Sequence, residues 1–210
     1  MKKKPLLIIS LIFTVLSLLY LISSHLGYIR DYDVKTKSPD HYMQSYKNLP
    51  KFSNDRTVAV YNHKKTDNIV PFLNSLLDQT VKLDEIIVVI PYAEIKEIPE
   101  DIKKYISIHG YTKTFGDEFS ENPSTALIYA VLTETNNNTN IILVDVNKIY
   151  NQDFIQTVLE KSQENPDKIV KGKNSILVKP KYFNNKIRDF KGSCEDCIKK
   201  FCKNEECNVD

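Results

Sequence analysis

The sequence predicts an α/β fold, a doubly wound and mostly parallel sheet preceded by an N-terminal transmembrane helix. Three observations lead there. The chain opens on an uncharged apolar stretch behind Lys2, Lys3 and Lys4. Farther on, Glu85-Ile86-Ile87-Val88-Val89-Ile90 and Asn140-Ile141-Ile142-Leu143-Val144 are continuous apolar runs, the pattern of strands covered on both faces rather than one. Segments with helical periodicity separate the runs, and strand-helix alternation of this kind builds parallel sheets.

Taken in order, residues 1–4 read as a cytosolic tail and 5–29 as a transmembrane signal anchor. A bilayer core of about 30 Å needs roughly 20 helical residues, and flanking lysines favour the cytoplasmic side. A cleaved signal peptide is the rival reading, but its apolar core is usually only about 7–15 residues long and ends at a small-x-small site, which Ser23-Ser24-His25-Leu26-Gly27 does not offer. The remaining chain is therefore expected on the lumenal (ER or Golgi) or extracellular side, as a single-pass type II protein. Residues 30–55 mix charge with Tyr and Pro at no period of 2 or 3.6, as a stem would.

Residues 56–185 are expected to form the α/β domain. Thr57 to Tyr61 reads as its first strand, Asn68 to Gln79 as a helix with Ile69, Leu73, Leu76 and Leu77 on one face and Thr66 or Asp67 as cap, and Glu85 to Ile90 as a strand stopped by Pro91. A short helix opens at Pro99, a strand lies near Ile106 to His109, and a loop runs from Thr112 to Asn122. Pro123 opens the next helix, which ends at Asn136-Asn137-Asn138 before the strand at Asn140. A helix from Gln152 to Gln163 and two short strands, near Ile169 and at Ile176 to Val178, complete the domain. Ligands of such sheets sit beyond the carboxyl ends of the strands, here Tyr61 to Lys65, Pro91 to Tyr92 and Asp145 to Tyr150.

With 210 residues, 41% of them hydrophobic, the chain has room for one anchor and one domain. A formal charge of +2 argues against nucleic acid or another polyanion as partner. No Ser-His-Asp set, zinc-protease helix motif or phosphate-cradling glycine loop is present. Asn137-Asn138-Thr139 is an N-glycosylation sequon.

Pro71-Phe72-Leu73-Asn74-Ser75-Leu76-Leu77-Asp78-Gln79, followed by the strand at Glu85, resembles the first helix and second strand of the family 2-like glycosyltransferases, which have an A-type nucleotide-sugar fold related to the Rossmann fold. Asn140 to Tyr150 is similar to the family's strand ending in an acidic cluster, and Asp153 to Asp167 and Lys179 to Phe183 to the segments that follow. The resemblance implies transfer of a sugar from a nucleotide-diphosphate donor to a glycan or protein acceptor. It implies Tyr61, Asn62, His63, Pro91 and Asp117 as donor-binding positions, and Asp145 and Asn147 as ligands of Mn²⁺ or Mg²⁺. Such a cation would stabilise charge on the departing diphosphate. Asp145-Val146-Asn147 carries one carboxylate and one amide where the family has two or three acids, and Ala126 stands where relatives have lysine, with Lys113 elsewhere in the loop. These departures leave a catalytically degenerate binding protein as the alternative. Asp145 and Asn147 are also well suited to closing a turn. No catalytic base stands out among Asp189, Glu195 and Asp196.

Residues 186–210 read as a lysine-containing, Cys-rich tail with all four cysteines, Cys194, Cys197, Cys202 and Cys207. Outside the cytosol they are expected in two disulfides, whose pairing stays open. In a reducing compartment the same spacing approaches a zinc knuckle, and the third reading is a binding protein built on that four-cysteine module.

Overall fold

The computed structural model describes residues 4–25, 27–62, 69–111, 124–172, 174–184, 186–187, 190 and 193–201. The apolar runs form β1 (Thr57–Asn62), β2 (Glu85–Pro91), β3 (Ser107–Tyr111), β4 (Asn140–Val144), β5 (Val170–Gly172) and β6 (Ser175–Val178). They join in one sheet of order β3-β2-β1-β4-β6-β5. The first four in that order are mutually parallel, with Val60 opposite Ile87 on one side and Leu143 on the other. β6 runs antiparallel to both β4 and β5, so the sheet is mixed and mostly parallel.

Both faces are covered, which explains the uninterrupted apolar runs. Ala59, Tyr61, Ile86, Val88 and Ile142 point to one face and meet Phe72, Leu73 and Leu76 of α4 (Ile69–Leu77) and Ile155 and Leu159 of α7 (Phe154–Glu164). Val58, Val60, Ile87, Val89 and Ile141 point to the other, against Leu127, Ile128 and Ala130 of α6 (Thr125–Thr133). Each such buried aliphatic contributes about 1.5–3 kcal/mol. The chain winds outward from β1 through α4 to β2 and through α5 (Glu100–Lys103) to β3. It then returns over the opposite face through α6 to β4, beside β1. Between β2 and β3 a 3₁₀ helix, Tyr92–Glu97, also forms. It lies so close to β3 that a Cβ at Gly110 would collide with the Tyr92 ring.

The expected stem is folded. Residues 28–47 make α2 (Tyr28–Thr36) and α3 (Pro39–Lys47), both packed on the α4 side of the sheet. Val34 is wholly buried, Tyr42 and Tyr46 nearly so, and the Tyr46 hydroxyl donates to Leu83 O at 2.8 Å. At Asn74 the side-chain amide donates to Val34 O at 2.9 Å and Lys37 O at 2.8 Å, satisfying carbonyls that the end of α2 leaves without helical partners. These partners are distant in sequence, so no local period announces them.

The N-terminal helix α1 (Lys4–His25) leaves its apolar side chains uncovered, with Ile9, Phe13, Leu16 and Leu19 all more than half exposed. Among the described residues no single helix is long and apolar enough to cross a membrane. Ile9–Ser24 and Tyr28–Thr36 reach the required length and hydropathy only as a pair, bent by 71°. Gly27 stands at the bend with φ +77°, a conformation that glycine adopts without the steric cost a side chain would bring. At the other end, the expected tail contributes α8 (Cys194–Phe201), whose Cys197 and Ile198 are fully buried on the α6 side.

Candidate functional site

The order reverses between β1 and β4, since the chain moves outward from β1 through β2 to β3 and resumes on the other side at β4. In open α/β sheets the crevice at the carboxyl ends of two such strands is the usual ligand position. Asn62, half-buried, ends β1, and Asp145 follows β4.

The segment after β4 is a tight turn. Lys148 N–H donates to Asp145 O at 3.1 Å, and Asn147 donates to Asp145 Oδ1 from its backbone at 2.9 Å and its side-chain amide at 3.2 Å. Asp145 and Asn147 are thus brought together, with one carboxylate oxygen engaged in an Asx turn. Amide orientation follows the hydrogen-bond network, so turning the Asn147 amide over would place its oxygen beside the carboxylate and present two hard ligands on one side.

Tyr150 supports this turn from beneath. Its hydroxyl accepts from Asp145 N–H at 2.7 Å and donates to Asn174 O at 3.0 Å. Burial pushes that phenol well above its ordinary range, so it remains a neutral donor. Asn174 adopts φ 70°, the left-handed conformation that hairpin turns demand and asparagine tolerates. The Tyr150 ring stacks on Phe154 with centroids 4.1 Å apart and meets Phe72 edge-on at 6.4 Å. Phe72 in turn meets Tyr61 at 4.8 Å.

Two polar side chains fix the rest of the loop. Gln79, 5% exposed, donates to Ser75 O at 2.7 Å and Asn151 O at 2.8 Å, and accepts from Ile155 N–H at 3.0 Å. The glutamine of the Ser75-Leu76-Leu77-Asp78-Gln79 run thereby joins the end of α4 to the start of α7. Arg30, from α2, donates to Asp78 Oδ2 at 2.8 Å and to Tyr150 O at 2.9 Å.

Of the other expected donor-binding positions, Tyr61 is 1% exposed and belongs to the core under the crevice, where its ring packs on Phe72. Pro91 is buried at the carboxyl end of β2, on the same edge of the sheet as Asn62. His63, Asp117, Lys113, Gly116, Pro123, Asp189, Cys202 and Cys207 lie outside the described residues, as do the expected caps Thr66 and Asp67.

No family model, curated protein or solved structure matches this chain.

Among the described residues no group of three or more His, Cys, Asp or Glu side chains converges to hold a metal ion alone. Asp145 and Asn147 would supply two oxygens, a set suited to Mg²⁺ or Mn²⁺ rather than a soft metal, and insufficient without oxygens from a ligand.

Proposed function

We propose that the protein is a membrane-anchored, sugar-nucleotide-dependent glycosyltransferase of the A-type fold, acting on a glycan or protein acceptor. The observation that carries the reading is the reversal of strand order between β1 and β4, with Asn62 at one strand end and the Asp145-Asn147 pair at the other. The parallel order 3-2-1-4 is that of the first four strands of a dinucleotide-binding sheet, switch point included, and the resemblance of Pro71 to Val88 and of Asn140 to Tyr150 supports the same assignment. The uncovered apolar surface of α1 supports the anchor, with the domain outside the cytosol.

The bound cation would supply charge stabilisation as the diphosphate leaves the sugar. The chain's own part is to hold that cation at Asp145 and Asn147 and to keep the loop in place through Tyr150, Gln79 and Arg30. A second reading, donor or glycan binding without turnover, is favoured by one contact, the two Asn147 N–H groups already donating to Asp145 Oδ1.

Calorimetry with uridine and guanosine diphosphate sugars, with and without Mn²⁺, separates the readings. Asp145→Asn should abolish metal-enhanced binding, and Asn147→Asp, which removes the competing amide and adds a charge, should tighten it by about tenfold, the scale of one charge-assisted bond. A binding protein without a metal site predicts no effect of either change and no transfer. Absence of any nucleotide-sugar binding in the wild type would leave only the fold.

A further inference from the structure

At the opposite edge of the sheet from Asp145, below the amino end of β4, lies a cavity of about 230 Å³. Leu159 and Ser162 of α7 line one side, Asn140 another, and Phe52 and Asp55 of the segment after α3 a third. Lys179, directly after β6, completes the wall. Its placement follows from the register: Val178 pairs with Ile141, which sets Lys179 beside the start of β4.

Lys179 is 8% exposed, yet no carboxylate among the described residues forms an ion pair with it. The nearby Asp167 is engaged by Lys181 at 3.2 Å. Asp55 lines the same cavity and acts on the ammonium only through space, in no ion pair with it. Ser162, 3% exposed, has a hydroxyl with no hydrogen-bond partner among the described residues. The Ser162 hydroxyl is thus a buried polar group without a partner among the described residues, whereas nearly all such groups in folded proteins have one, and the Lys179 ammonium, in no ion pair there, lines the same cavity. Burial, and then Lys181, hold the Lys179 ammonium below its usual range, with Asp55 and Asp167 pushing the other way.

We propose that this cavity binds a small carboxylate-bearing ligand, with Lys179 and Ser162 as donors to the carboxylate. The volume is below the roughly 300–1,000 Å³ of sites for drug-sized molecules, so the ligand is small. The Asp55 carboxylate on the wall disfavours a dianion, which selects a carboxylate over a phosphate. This inference does not depend on the chemistry proposed at the other edge.

The test is a titration of the ¹⁵N-labelled full chain in detergent micelles with sodium acetate and with sodium phosphate, at ionic strength held constant with chloride. Saturable movement of the Asn140, Ser162 and Gln163 amides by acetate is expected, with weaker binding of phosphate. Lys179→Met keeps the hydrocarbon stem and removes the charge, and should weaken acetate by about tenfold or more. Ser162→Ala, a milder change that keeps the lysine, should weaken it several-fold and serves if the first variant does not fold. The proposal is overturned if acetate fails to saturate in the wild type or phosphate binds as tightly. It is equally overturned if a folded Lys179→Met or Ser162→Ala variant binds acetate like the wild type.

Discussion

Asn74 sits in the apolar face of α4 yet is wholly buried, because both N–H donors of its amide are used on the carbonyls that end α2. Truncation leaves those carbonyls without their partner in a dry place, at a cost of about 1–3 kcal/mol. Asn74→Ala should lower the stability measured in urea by that amount and increase hydrogen exchange in residues 28–37. Unchanged stability would show that α2 is not held there. Asp84 gives a second test at this scale. Burial raises its carboxyl pKa, but hydrogen bonds from Lys51 and from Thr57 N–H, the latter at 2.8 Å, outweigh it and leave the group below its ordinary value. A depressed carboxyl stabilises the fold above its unfolded pKa of about 3.9 and loses that contribution as pH falls through the folded value. Asp84→Asn should therefore be less stable than wild type at pH 7, by on the order of 1 kcal/mol. The two should converge in paired urea titrations only once the pH has fallen below the depressed folded value, where Asp84 is protonated in both states.

Among the elements, the loop after β4 is tied to others from distant parts of the chain. Arg30 reaches it across 120 residues of sequence to Tyr150 O, and across 48 to Asp78. The Arg30–Asp78 pair is only 20% exposed on each side, so it is better shielded than surface pairs of little net effect. Arg30→Met should leave α4 and the sheet intact while raising hydrogen exchange at Asn151 and Gln152 several-fold. Exchange rising equally throughout the sheet would mean a global loss instead. The same contacts explain what could be read in advance. β1, β2, β4 and α4 were legible because burial on two faces writes long apolar runs, and the placement of Asp145 and Asn147 together in the turn past β4 because they follow one of those runs. α2 and α3 were not, since helices of nine residues that bury only Val34, Pro39, Tyr42 and Tyr46 leave too short a stripe to stand above a polar background. Tyr150, Gln79 and Arg30 hold the loop after β4 partly through partners far along the chain, at Asn174, Asn151 and Tyr150 O respectively, which spacing cannot reveal. Of these only Gln79 lies within a motif that stands out from its surroundings.

For the whole molecule, topology is the property with the widest reach. Asn137 is exposed in the turn between α6 and β4, but Thr139 is fully buried and donates to Glu134 at 3.1 Å. Recognition of the sequon must then precede folding. Expression through a eukaryotic secretory pathway should give a glycosidase-sensitive mass shift that disappears in Asn137→Gln, and protease digestion of the domain in sealed microsomes would refute the orientation. The docked α2 and α3 bear on how such a protein would work. A slack connector of about 25 residues would let a domain roam over roughly 25–30 Å, like an animal on a leash. Here the chain between α1 and the sheet is a bracket instead, folded as α2 and α3 against α4, with Gly27 where it leaves α1. If α1 lies in a bilayer as proposed, so short a connection would keep the crevice near the membrane surface, and acceptors would have to come to it.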